Sequence, residues 1–92
     1  MEQQQKLPEK LSEIAKIIFK DWTAQGKGIP TYARPYVNAM LTLNSIDDDY
    51  GLDSGQSIVA YFLANAGTWK GPTARAVKSK LKGMLAKAEA KI

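Results

Sequence analysis

The chain has 92 residues, enough for one small domain and no more, and a hydrophobic share of 45%, as in an ordinary globular protein. It has no Cys and no His, which excludes a disulfide framework and a thiolate metal site and removes both the commonest metal ligand and the commonest general base. The formal charge of +4 points toward an anionic partner, and no apolar run approaches the ~20 residues of a membrane span; the expectation is a soluble cytoplasmic protein with no cofactor.

Taken in order, residues 1–7 (MEQQQKL) are polar and predict a frayed tail, with residues 8–92 as the single domain. Pro8 suits a first helical position, and Glu9 is placed well against the helix dipole. Leu11, Ile14, Ala15, Ile18 and Trp22 then share one face, while Glu9, Glu13, Lys16 and Lys20 take the other. This spacing predicts an amphipathic helix over about 8–25. The run Gln25-Gly26-Lys27-Gly28 ends it, because two glycines sustain a helix poorly.

The connector IPTYAR leads to Pro35, which opens a shorter helix over about 35–44 with Tyr36, Val37, Met40, Leu41 and Leu43 available to a core. A helical turn over residues 31–34 with Pro35 as a bend is an equally open reading. The acidic segment SIDDDYGL follows, and nothing in it or elsewhere reads as a strand pair. Asp53 then caps a helix over 54–66, with Gln56 three residues on as in a capping box and Gly67 as its left-handed terminator. Ile58, Val59, Phe62, Leu63 and Ala66 recur there at helical spacing. A short corner, Thr68-Trp69-Lys70-Gly71, precedes a last helix over 72–90 that Pro72 begins. Trp69 reads as the apolar plug of that corner rather than a ligand-stacking ring.

The expected fold is therefore all-α: a single compact domain of four helices with short loops. Its expected core is Leu11, Ile14, Ile18, Trp22, Met40, Leu41, Val59, Phe62, Leu63, Trp69, Val77, Leu81 and Leu85.

Little in the sequence carries catalytic chemistry. Asp47, Asp49 and Asp53 occupy positions 1, 3 and 7 of a would-be calcium loop, but Leu52 and Ile58 stand where such a loop needs Gly and a bidentate Glu. A polar loop and a helix cap account for these aspartates, and no metal site is expected. No nucleophile–base pair or glycine-rich phosphate loop accompanies them, so the chain reads as a non-enzyme. Tyr32, Arg34 and Tyr36 can stack bases or clamp a phosphate. The favoured reading is two half-buried tyrosines with a snorkelling arginine between them.

The final helix carries the main candidate site. At about 100° per residue, Ala74, Val77, Leu81, Met84, Leu85 and Ala88 form its apolar stripe. Arg75, Lys78 and Lys82 line one flank; Lys80, Lys87 and Lys91 line the other. Opposite the core lie Ala76, Ser79, Gly83, Ala86 and Ala90, all small. Three uses fit this face. Cations can straddle a nucleic-acid backbone while the small residues avoid a clash. Gly83 and its neighbours can admit a second helix, in a homodimer or a partner protein, with lysine stems covering the margins. The plain alternative is an alanine-rich helix whose lysines provide solubility only.

The tract SIVAYFLANAGTWKGPTARAVKSKLKGML resembles a group of small proteins encoded by bacteriophages and prophages, chiefly of Gram-positive and actinobacterial hosts. The similar pattern is a leading helix like residues 11–22, a proline segment like 32–40, a DDDYG-like turn and a YFLANAGTWKG-like junction before a basic helix. It spans roughly residues 10–85. The resemblance implies a setting in bacterial cytoplasm and no particular activity. The expectation is a small non-enzymatic phage accessory protein, associated with nucleic acid or else acting as an adaptor or inhibitor of a host or phage protein.

Overall fold

The computed structural model describes residues 7–26 and 28–90. Most of the predicted tail therefore lies outside the described residues, as does Lys91. Helix α1 (Leu11–Ala24) buries Leu11, Ile14, Ala15, Ile18 and Trp22 as one stripe. It begins at Leu11 and not at Pro8. Lys10 stays extended and supplies no side-chain cap. The first-turn N–H groups are instead taken by tertiary contacts: Ser12 N donates to the Leu43 carbonyl at 2.8 Å and Leu11 N to that of Asn44 at 3.4 Å. The free end of the helix is thus satisfied from across the fold.

Helix α2 (Arg34–Met40) settles the alternatives left open around Pro35. A turn over residues 31–33 forms, with Ala33 N and Arg34 N both donating to the Pro30 carbonyl, and runs straight into the helix. Pro35 lies in the first turn, where a missing N–H costs nothing. The helix ends sooner than expected, because Thr42 N and Leu43 N take three-residue turns, to Ala39 and Met40.

The fold is mostly helical but not purely all-α. Strand β1 (Asp49–Tyr50) pairs antiparallel with β2 (Asp53–Ser54), with Asp49 opposite Ser54 and Tyr50 opposite Asp53. Gly51 adopts φ 61°, and Leu52 completes the two-residue loop. Such a loop takes glycine at its first position. No strand pair was expected, since the strands are two residues long and aspartate disfavours strands.

Helix α3 (Gly55–Ala64) is capped by Ser54, whose hydroxyl accepts from Ser57 N at 3.1 Å. The expected capping box of Asp53 and Gln56 is displaced because Asp53 is held in the hairpin. Gly67 is not the left-handed terminator either. Asn65 closes the helix, with its side-chain amide donating to the Tyr61 carbonyl at 2.9 Å. The left-handed position falls at Gly71, φ 108°, immediately before helix α4 (Pro72–Ala90).

Packing joins the helices in a ring: α1 on α2, α2 on α3, α3 on α4, and α4 back on α1. Trp69, fully buried, sits among them. Its ring stacks on Trp22 at 5.5 Å and meets Phe62 edge-on at 6.3 Å. Of the expected core, Leu41, Leu63 and Leu85 are only partly buried. Ile29, Ala33, Ala39 and Ile46, which no helical stripe marked, join the core, and Ala15, Val37, Leu43, Ile58, Ala66, Ala74 and Ala88, on the apolar faces read from the sequence, are buried with them.

Candidate nucleic-acid interface on the last helix

The corner that launches α4 is fixed by side-chain bonds. The Trp69 Nε1–H donates to Asp21 Oδ2 of α1 at 2.9 Å. Gln25 Nε2 donates to the same carboxylate at 3.0 Å and to the Lys70 carbonyl at 2.8 Å. Arg75 N closes the first turn on the Gly71 carbonyl. The N-terminal end of α4 is therefore held against the C-terminal end of α1, and Ala74, Val77, Leu81 and Ala88 face the core.

This packing divides the six candidate positions. Arg75, Lys82 and Lys87 are exposed and form no ion pair among the described residues. Lys78 is not a free member of its flank. Its Nζ donates to the Trp69 carbonyl at 2.8 Å and lies 6.0 Å from the centre of that ring. Partial burial, followed by the like charges of Lys70 and Lys82, holds the Lys78 ammonium below the usual lysine range. Lys80 is also engaged: its Nζ meets Glu9 Oε2 at 2.7 Å. That hydrogen bond, then the charge of Lys80 and the more distant charge of Lys87, draws the Glu9 carboxyl below the usual glutamate range. Gly83 is exposed, and a Cβ built there would meet nothing within 4 Å. Ser79 and Ala86 are likewise exposed, but Ala76 is half-buried, so the small-residue strip is shorter than its sequence suggests.

Lys70 is the cation that the sequence reading left out of the site. It is exposed at the foot of α4, near enough to Lys78 to disfavour a second charge there. Its place in a four-residue corner, with no helical period to assign it a face, hid it. Its only signal was adjacency to the basic helix.

The other sequence candidates are absorbed by the fold. Tyr36 is half-buried against the Tyr61 ring at 5.7 Å. Arg34 donates from Nη2 to the Ile29 carbonyl at 3.0 Å. Tyr32 departs from the expectation of half-burial: it is 51% exposed, with its hydroxyl 3.1 Å from Thr68 Oγ1. In the acidic segment, Asp48 Oδ2 accepts from Asn44 N and Ser45 N, a turn-forming role. No group of three or more acidic side chains converges as metal ligands would, among the described residues. Nor is any helix among them long and apolar enough to cross a membrane. No family model, curated protein or solved structure matches this chain.

Proposed function

We propose that the protein is a small non-enzymatic accessory factor that binds a nucleic-acid backbone through α4. Its resemblance to phage and prophage products gives it a setting in bacterial cytoplasm. One observation carries the reading. Residues 72–88 hold five cations and no carboxylate, and three of them, Arg75, Lys82 and Lys87, stand exposed and form no close ion pair among the described residues. Unpaired cations on one rigid element meet phosphates at little ordering cost. No Asn, Gln or bidentate arginine array accompanies them, so binding is independent of sequence. With three phosphate contacts, log affinity falls against log salt with a slope of about 2 to 3.

The test is fluorescence anisotropy with duplex DNA and single-stranded RNA at low and moderate salt. The triple variant Arg75→Glu/Lys82→Glu/Lys87→Glu keeps its helical circular dichroism, since all three are exposed, and loses retention. Wild-type protein that binds neither polymer at low salt, or a triple variant that binds as well as wild type, refutes the proposal. Lys78 is unsuited to this test, because reversing it would set a carboxylate against the Trp69 carbonyl.

A protein-binding role, as adaptor or inhibitor, draws on a different feature: the open surface over Ser79, Gly83 and Ala86. Gly83→Leu would block close approach of another helix there and leave every cation in place, whereas the triple variant removes the cations and leaves the small residues. The two readings thus separate by variant.

A further inference from the structure

We infer that Leu52, at the apex of the β1–β2 hairpin, seats in an apolar depression on the outer side of α1 of a second copy of this chain. Leu52 is 105% exposed, so its side chain touches nothing of its own molecule. The turn does not ask for it: the loop geometry is met by Gly51, and its second position accepts polar residues. Tyr50 beside it is also largely exposed, at 44%. Asp49 and Asp53, on the two strands that lead to and from this tip, are exposed as well.

The same chain carries the complementary surface. Phe19 and Leu41, both half-buried, join Ala24 in lining an open depression of about 610 Å³. Exposed Lys16 and Lys20 stand on its rim. A leucine knob on a hairpin that also carries two exposed carboxylates thus answers an apolar hollow whose lining includes two exposed lysines. The chain's own Leu52 does not fill the hollow, because it is fully exposed, and a second copy offers the same knob. The contact is heterologous, knob of one copy into hollow of the next, and so extends into chains or closes into rings. It uses none of Arg75, Lys82 or Lys87 and stands apart from the nucleic-acid reading.

The experiment is sedimentation velocity on the full chain up to about 1 mM, the range in which a contact this small is populated. The weight-average sedimentation coefficient of wild type rises with concentration and falls back with added salt. Leu52→Asp lacks the knob and Lys16→Glu/Lys20→Glu lacks the cationic rim; each sediments as a monomer over the same range. Leu52→Ser, which adds no charge, behaves like Leu52→Asp. An equimolar mixture of the Leu52→Asp and rim variants restores association, because one supplies an intact hollow and the other an intact knob. Wild type that stays monomeric at the top of the range overturns the inference. So does either variant associating as wild type does, or a mixture that forms no complex.

Discussion

Replacing Asp21 by alanine tests whether the corner before α4 is held by the Trp69 indole bond. Trp69 is fully buried, and its Nε1–H has one acceptor, Asp21 Oδ2 at 2.9 Å. Asp21→Ala leaves that donor stranded among Trp22 and Phe62 and also deprives Gln25 of a partner. A buried donor left without its charged acceptor costs about 2 kcal/mol. For a domain of this size that lowers Tm by about 8 to 16 °C. Trp69→Phe removes the donor and part of the ring, at about 3 kcal/mol. In that background Asp21→Ala strands nothing in the core and costs only about 0.5 to 1 kcal/mol, through the weaker Gln25 bond. The double variant is therefore more stable than the sum of the single losses, by about 1 kcal/mol or more. Urea unfolding followed by far-ultraviolet circular dichroism measures all four proteins, because that signal survives loss of the indole. Additivity within about 0.5 kcal/mol refutes the reasoning and makes the Asp21 contact incidental.

Three further outcomes are expected. Gly55→Ala is destabilising by about 2 kcal/mol in the same urea assay, because its Cβ would lie 2.7 Å from the Ile46 carbonyl oxygen and 2.9 Å from that of Asp48, both backbone atoms that cannot swing aside; an unchanged midpoint contradicts this. Gly83→Ala, by contrast, raises Tm, with a gain of about 0.5 to 1 kcal/mol, since it lies inside a helix with open space around it; a fall in Tm reveals a contact that the monomer lacks. The Glu9 carboxyl is drawn below its ordinary value of 4.5 in the folded state, so its link to Lys80 is present above that value and is lost as pH falls through the lowered one. The Glu9 carboxyl, followed by NMR, therefore titrates with its midpoint below 4.5 in wild type, and the midpoint rises in Lys80→Met.

What the sequence revealed and what it hid divide along the range of the interactions involved. The stripe of α1 and that of α4 were legible because one long run of apolar spacing defines each, and no other element is needed to read them. The start of α1 was not, because its cap is made of the Leu43 and Asn44 carbonyls, more than thirty residues on. Likewise Ile29 and Ile46 are buried from loops and turns, where no period marks a face. The hairpin escaped because its two-residue strands carry aspartates; the Gly51-Leu52 loop was its single local sign. At the candidate site the period placed all six residues on the right helix. It was silent on which ammonium groups had other business, since the Glu9 contact of Lys80 is 71 residues distant in the chain.

The Lys78 contact shows why the fold and the candidate site must be argued together. From the helical period, Arg75, Lys78 and Lys82 are equivalent members of one cationic flank. In the folded protein the middle one turns back to Trp69, donating to its carbonyl and lying 6.0 Å from its ring centre. Its burial already disfavours the charged form, so a phosphate would gain from Lys78 only by drawing it off the Trp69 carbonyl. That exchange costs a made hydrogen bond for each one gained, whereas Arg75, Lys82 and Lys87 form no ion pair to give up among the described residues. The freely exposed cations of this helix are accordingly these three residues, with Lys70 exposed at its foot, while Lys78 and Lys80 are engaged within the fold.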